Sequence, residues 1–358
     1  MAITPVDLQV TNITATSARL TWEDALQALI AAIFGANDQG AVYIPWPVVN
    51  GTQALFQDSA GTLPVTADGD PDGSMADQSG NEHTAVQSVS AARPTYNATP
   101  DRLSLDKVDD ALIITVPTGG WNGTMVLATD DGTASYGISI PAGAYELGGQ
   151  FFPGDAIVGA LFRDGAMTAG EKKDAEGYFV GNGATADYGA VTDFDNFWRG
   201  HDEITDFPLI DTSSAESLSV AWYQCSSIIS FPLIDTSSVT AFSSAWNGCS
   251  LLNSFPPINT SSGVNFSFSW NGCNSLTSFP TNFFDNIKGS NFDRAFQSTN
   301  LNGASIDGIL VSLVASGIAA GTRVFEQSGG SSPSVGTGQP AIDTLRARGW
   351  TVTVTGGY

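Results

Sequence analysis

Cysteine, histidine and positive charge are all scarce in this chain. Its 358 residues include three Cys, two His and 13 Lys plus Arg against 36 Asp plus Glu, which gives a formal net charge of −23. A surface this acidic repels nucleic-acid phosphates and anionic lipid headgroups. The longest apolar run, residues 28–34, is far shorter than the about 20 residues that span a bilayer. We therefore expect that the protein neither binds nucleic acid nor inserts into a membrane.

The motifs of common catalytic and cofactor sites are also missing. The two histidines, His83 and His201, fall in different predicted domains, and no GxSxG, HExxH, Walker or Rossmann pattern occurs. A pair of carboxylates in a glycosidase active site is an alternative, because the chain contains many Asp and Glu residues, although we expect most of them to be solvated. We predict a protein that is not an enzyme, with no catalytic residue, no cofactor and no metal.

A secretory signal is the third absence. The first residues have neither a basic start nor an apolar segment. Only 14% of the residues are charged, while Gly, Ser, Thr, Ala and Asn are abundant, which is typical of a β-rich extracellular or virion protein. We expect a protein made in a cytoplasm that reaches the outside of a cell, if it does, as part of a particle.

A period of 24 residues organises the centre of the chain. Phe-Pro recurs at positions 207, 231, 255 and 279, Trp at 222, 246 and 270, and Cys at 225, 249 and 273. Such a period indicates a solenoid, because one row cannot bury its own apolar face and stacks on its neighbours. Equivalent residues should then lie about 4.8 Å apart.

Each row has three predicted parts. Phe-Pro-Leu-Ile favours a strand, and Asp-Thr-Ser-Ser favours a turn whose side chains bond nearby backbone. Val239, Phe242 and Trp246 have helical spacing, so we predict a short helix that ends at Asn-Gly-Cys. We expect the repeated tryptophans to lie in the core.

The three cysteines share one position of the repeat and have two interpretations. A metal or redox site is one, and a stack of small buried thiols is the other. We favour the stack, because no CxxC occurs, the count is odd, and equivalent side chains point in parallel. His201 takes the same position one row earlier; we expect a packed histidine rather than a ligand, since no second His or paired carboxylate shares its position.

An acidic segment, residues 68–73, reads Asp-Gly-Asp-Pro-Asp-Gly and is similar to the start of a calcium loop. The twelfth position is Ser79, where a bidentate Glu is needed, and Pro71 stiffens the segment. We favour a solvated acidic turn, with a weak surface calcium site as the alternative.

The first 40 residues combine strand and helix patterns. Residues 1–22 alternate in polarity and resemble the first two strands of a fibronectin type III domain. A helix follows, with an apolar stripe that includes Leu26, Leu29 and Ile33. The stripe has two equally good interpretations. The helix packs on the neighbouring domain, or it is buried between subunits or in an attachment socket.

Two further stretches resemble known families. Residues 55–112, which contain LFQDSAGTLPVTADGDP, DQSGN, ARPTY and LDKVDDAL, and residues 160–173, ALFRDGAMTAGEKK, resemble the concanavalin A-like, laminin G-like modules of tailed-phage virion proteins. The rows from 207, with FP-IDTSS and W-GC-SL-SFP, resemble BspA-type leucine-rich repeats. The resemblance implies a tailed-bacteriophage virion protein of the tail fibre or spike type.

The expected fold class is mainly β with short helices (α+β). We predict N-terminal strands and a helix for particle attachment or oligomerisation over residues 1–40, and a truncated lectin-like, β-sandwich-like domain over 41–186. A leucine-rich-repeat solenoid over 187–303 and a C-terminal cap over 304–358 complete the chain. The cap is predicted to contain helices at Ile306–Leu313 and Gln339–Arg348 and a final strand at Gly349–Val354.

The resemblance also implies a function and partners. We expect a structural virion protein that displays its repeat surface for host-receptor binding, with a capsid-attached fibre or decoration protein, a bacterial surface adhesin and a polysaccharide depolymerase as alternatives. Other virion proteins at the N-terminal region and a host cell-surface glycan or protein are the expected partners, in a homotrimer or other homo-oligomer. Tyr223, Asn247 and Asn271 are the candidate receptor contacts.

Overall fold

A computed structural model describes residues 25–358 except 35–37, 50, 99–100, 107, 149–152, 154–155, 182–183, 185–187, 290 and 319–322. The strands predicted within residues 1–22 lie outside the described residues. The chain forms two compact units, residues 1–188 and residues 189–358. It is mainly β with a few short helices, as predicted, and no sheet is closed among the described residues.

Four helices and seventeen strands lie in the described residues. The helices are α1 (25–33), α2 (Ala169–Gly181), α3 (Gly303–Ala315) and α4 (Gly338–Ala347). The strands of the first unit are β1 (Gly40–Tyr43), β2 (Val48–Val49), β3 (Thr52–Gln53), β4 (Leu55–Phe56), β5 (Ser74–Met75), β6 (Ala85–Val86), β7 (Thr95–Ala98), β8 (Asp101–Ser104), β9 (Ala111–Val116), β10 (Trp121–Thr129), β11 (Thr133–Ile140), β12 (Gly143–Gly148) and β13 (Ala156–Asp164). Those of the second unit are β14 (Ile204–Asp206), β15 (Phe292–Phe296), β16 (Arg323–Gln327) and β17 (Trp350–Thr353).

β13 is the central strand of the first unit. It pairs antiparallel with β10 along one side, where Leu161 lies opposite Val126. Along its other side it pairs with β1, where Leu161 lies opposite Val42, and with β8. β11 extends the sheet beyond β10, and β7 extends it beyond β8. Residues 156–162 are all buried, because both faces of this sheet are covered.

The helices α1 and α2 cover one face of the sheet. Leu26, Leu29 and Ile33 of α1 are buried in the same apolar cluster as Phe179 of α2. A Cβ on Gly159 of β13 would lie 2.3 Å from the Phe179 ring, so glycine permits this close approach. The apolar stripe of α1 therefore packs within its own unit, which corresponds to the first of its two interpretations.

A second antiparallel sheet, in the order β12-β9-β6-β5-β4, lies against the other face. Tyr145 of β12 meets Phe162 of β13 edge-on, with ring centroids 5.5 Å apart, and its hydroxyl lies 3.8 Å from the Met125 sulfur. The unit thus has a helix layer and two main sheets, and β2 pairs with β3 in a separate two-stranded sheet.

Stacked rows form most of the second unit. Trp198, Trp222, Trp246 and Trp270 follow one another with ring centroids 5.4, 5.5 and 5.6 Å apart and planes within 9° of parallel. All four indoles are buried, as expected for core residues. The phenylalanines of the Phe-Pro dipeptides form a second column, with spacings of 5.4, 6.0 and 5.7 Å.

The short helix predicted in each row is wrong. In the row that begins at Phe207, the N–H of Ala221 donates to the Leu218 carbonyl and that of Cys225 to the Trp222 carbonyl, both at 3.2 Å. Val220 and Gln224 both have φ 62°, so the segment is two successive type II turns. Alternate N–H groups, those of Leu218, Val220, Trp222 and Gln224, donate to the next row, as from Leu218 to Ala241 at 2.9 Å.

The strand predicted at Phe-Pro-Leu-Ile is also wrong. The N–H of Ile234 donates to the carbonyl of Pro232, two residues earlier, and Ile258 does the same with Pro256. Proline has no N–H to give to a ladder, which weakens pairing at this position. The predicted Asp-Thr-Ser-Ser turn is confirmed: Asp235 accepts from the N–H of Ser237 at 2.9 Å.

A parallel three-stranded sheet, β15-β16-β17, ends the stack. Phe296 of β15 continues the tryptophan column by stacking on Trp270 at 5.1 Å. Phe292 continues a third stack, in which Phe242 and Phe266 precede it, at 5.0 Å from Phe266. α3 and α4 lie at this end of the unit and correspond to the two predicted helices, and β17 corresponds to the predicted last strand. The terminal rows are thus closed by a sheet and two helices.

Candidate binding surface

The two turns of each row leave one side chain, directly after Trp, half-buried at the surface. This position is Arg199, Tyr223, Asn247, Asn271 and, after an insertion of two residues, Gln297. We call these five residues the polar column. The candidate receptor contacts Tyr223, Asn247 and Asn271 thus lie in one line, since the tryptophans beside them stack 5.4–5.6 Å apart.

Contacts along the polar column hold its side chains in place. The Arg199 guanidinium lies over the Tyr223 ring, 5.1 Å from its centroid, a cation–π distance. The Asn271 amide donates to the Gln297 side-chain oxygen at 3.1 Å. The side chains at the two ends of the column are therefore held in pairs.

Backbone hydrogen bonds join the rows on either side of each column residue. The N–H groups of Trp222 and Gln224 donate to the carbonyls of Ala245 and Asn247, at 2.8 and 2.7 Å. The following row repeats this pattern from Trp246 to Ser269 at 2.9 Å. Side chains can therefore vary at the column without loss of the bonds that hold the rows together.

An acidic group borders the column at its first row. Burial raises the pKa of Asp195, the Ser217 hydroxyl that donates to it acts against the rise, and the charge of Asp193 adds to it. Two neighbouring carboxylates at this end make it unfavourable for anions.

The three cysteines lie in the core as free, buried thiols. The thiols of Cys225, Cys249 and Cys273 contact the carbonyl oxygens of Trp198, Trp222 and Trp246 at 2.9, 3.2 and 3.1 Å. Burial raises the pKa of each thiol well above its ordinary value. The expected stack of buried thiols is confirmed, and this environment keeps the sulfur protonated and unreactive.

His201 has a carboxylate partner that the sequence reasoning missed. Its Nδ1 lies 2.7 Å from Oε1 of the largely buried Glu203, two residues later. Glu203 does not share the repeat position of His201 and has no acidic equivalent in the later rows, so the pair could not be inferred from the repeat. The spacing His-x-Glu was the available signal.

The acidic segment at 68–73 uses its three carboxylates separately. Asp68 accepts the N–H of Ala98 at 3.0 Å, and Asp70 accepts those of Thr66 and Ala67 at 2.8 and 2.9 Å. Asp72 is fully buried, and its oxygens have no hydrogen-bond partner among the described residues. The prediction of a solvated turn is therefore wrong for Asp72.

One group of carboxylates has metal-ligand spacing among the described residues. Asp106, Asp109 and Asp110 place one oxygen each within 4.8 Å of the others. Asp106 accepts the N–H groups of Val108 and Asp109, at 2.8 and 3.2 Å, so a local turn already explains the cluster.

Comparison with known proteins gives this chain no relative: no family model, curated protein or solved structure matches it. Of the helices that the structure describes, none combines the length and apolar content that crossing a membrane requires.

Proposed function

We propose that this protein is a structural virion protein of a tailed bacteriophage, a tail fibre or spike whose leucine-rich-repeat-like solenoid binds a host cell-surface glycan or protein. The observation that carries the proposal is the polar column, in which Tyr223, Asn247 and Asn271 line one surface above a rigid aromatic core. A surface fixed at the backbone and variable at the side chain suits recognition rather than reaction.

The rest of the molecule has a place in this proposal. The two sheets of the first unit act as a shortened lectin-like sandwich, a spacer or second contact. The N-terminal region attaches the protein to other virion proteins, in a homotrimer or other homo-oligomer. A capsid-attached fibre or decoration protein is the alternative that keeps the same surface, and it differs only in position on the particle.

Cell binding tests the proposed surface. The fluorescently labelled chain is expected to bind cells of the bacterial strain that its phage infects, and the combined variant Tyr223→Ala, Asn247→Ala, Asn271→Ala is expected to bind about tenfold more weakly. Asn253→Ala with Thr277→Ala changes two exposed row positions outside the polar column and serves as the matched control. Equal loss in both variants would remove the column from the proposal.

Two further measurements separate the alternatives. Immunogold labelling of purified particles is expected to place the chain on the tail, whereas label on the capsid would favour the decoration protein. Incubation with host polysaccharide is expected to release no reducing ends, and their release would identify a depolymerase. Cell-surface label on uninfected bacteria that carry the gene would favour the adhesin.

A further inference from the structure

A cleft of about 150 Å³ lies between the third and fourth rows of the second unit. Its lining comes from two short segments, residues 257–261 and residues 281–283, together with Asn286. Ile258 and Phe283 are buried beneath it, and Pro257 is exposed at its side. The floor therefore combines these apolar side chains with the buried Thr260, whose hydroxyl donates to the Phe283 carbonyl.

The rim of the cleft is polar and uncharged. Asn259, Thr281, Asn282 and Asn286 are exposed and Ser261 is half-buried. Within the described residues these side chains make one hydrogen bond, in which the Asn259 oxygen accepts the N–H of Ser261 at 3.0 Å. The Asn259 amide nitrogen and the other rim groups are left for a ligand.

The repeat changes at the cleft in two ways that open it. The second residue after each Phe is an exposed leucine in the first two rows, Leu209 and Leu233, but Pro257 and Thr281 in the next two. The side chain that accepts a backbone N–H in the turn after Ile belongs to Asp211 and Asp235 in the first two rows, but to Asn259 in the row that lines the cleft. A long side chain and a negative charge are thus both absent where the cleft forms.

We propose that this cleft binds a neutral sugar residue, with one C–H face of the ring on Ile258, Pro257 and Phe283 and its hydroxyls on the amide and hydroxyl rim. A sugar ring carries an apolar face together with groups that both donate and accept, which is what the floor and rim offer. The absence of charged lining residues disfavours an anionic or cationic ligand. The inference rests on the proposed function for its biological ligand, a host glycan.

Saturation-transfer NMR with the full chain tests the cleft. The probes are methyl glycosides of glucose, galactose, mannose and N-acetylglucosamine, and at least one is expected to receive saturation. Asn259→Asp and Thr281→Leu restore the residues of the other rows, so that both variants are expected to fold. Each is expected to weaken binding about tenfold, through loss of the amide donor and through steric filling.

Matched controls sit one row away. Asp235→Asn and Leu233→Thr make the reverse changes at two residues that do not line this cleft, and both are expected to bind like the unchanged chain. The proposal is overturned if no neutral glycoside receives saturation, if both cleft variants bind normally, or if the controls lose binding equally. Cell binding without sugar binding would overturn the cleft alone, whereas sugar binding without cell binding would overturn the proposed function alone.

Discussion

The indole of Trp222 lies face to face with that of Trp246, with centroids 5.5 Å apart and planes 6° from parallel. Phe231 meets both rings edge-on, at 4.7 and 5.3 Å. Each Phe therefore joins the tryptophans of two rows, and each Trp stacks on the tryptophan of the next. Because each Trp stacks on the Trp of the next row and each Phe also contacts the Trp of the row before it, a row depends on its folded neighbours for much of its packing.

Replacement of Trp246 by alanine should destabilise the second unit by about 3–5 kcal/mol, because a fully buried ring is lost from the middle of the aromatic column. Urea unfolding monitored by near-ultraviolet circular dichroism measures the change. Tyr223→Ala removes a ring from the surface of the neighbouring row and should cost less than about 1 kcal/mol. Equal losses of stability in the two variants would show that the aromatic column does not stabilise the rows more than the surface residues do.

The repeat made the core columns predictable, but it did not reveal the backbone. Leu218, Ala221, Trp222 and Cys225 are buried at i, i+3, i+4 and i+7, which is the spacing of a helix face. Two successive four-residue turns repeat at the same interval, so that both structures bury the same positions. Each row holds two left-handed residues, such as Ser244 and Gly248, but Gly stands only at the second, where it suits a helix end equally well.

The candidate site was predictable only in part. Tyr223, Asn247 and Asn271 could be aligned by counting from Trp, and the structure places them in one line. Gln297 could not be aligned in this way, because its row contains two extra residues. The cleft beside Asn259 could not be predicted either, because it is lined by two neighbouring rows and the 24-residue period does not specify how their side chains meet. Burial of Asp72 likewise depends on strands distant in sequence.

Val220→Asn should stabilise the second unit by about 1 kcal/mol. Val220 is β-branched and holds φ 62°, a left-handed conformation that costs such residues about 1–2 kcal/mol. Asparagine tolerates it, and Asn196 occupies the equivalent position one row earlier with φ 64°. Val264→Asn changes another exposed valine of the rows, at a position without positive φ, and should shift the urea midpoint little. Destabilisation by Val220→Asn would contradict the turn assignment.

The buried thiols should resist a thiol reagent in the folded protein. Burial raises the pKa of all three cysteines, so at pH 8 the folded chain should leave them unlabelled by a disulfide reagent, while urea should release three reactive groups. Each thiol contributes stability that is present below its unfolded pKa of about 8.5 and is lost as pH rises above it. Rapid labelling before unfolding would show that the rows open locally.

Asp72 should make the first unit less stable at neutral pH than in mild acid. Burial raises the pKa of Asp72 to about 7, and the nearby N–H groups of Phe56 and Ser74 and the charge of Arg93 only partly oppose this. Because the folded pKa exceeds the unfolded value of about 3.9, the favourable contribution is complete below pH 4 and disappears as pH rises to 7. Ionisation of the carboxyl then lowers the free energy of unfolding by about 4 kcal/mol, because each unit of difference between the folded and unfolded pKa corresponds to about 1.4 kcal/mol.

Asp72→Asn separates this effect from all other titrations in a chain of net charge −23. The variant's free energy of unfolding relative to the unchanged chain should rise by about 3 kcal/mol between pH 5 and pH 8, as measured by urea unfolding at both values. Asp70→Asn is the matched control, since hydrogen bonds from Thr66 and Ala67 lower the pKa of Asp70, and its contribution is therefore constant over this range. A pH-independent difference for Asp72→Asn would mean that the Asp72 carboxyl is already ionised in the folded chain throughout this range, so that burial does not raise its pKa.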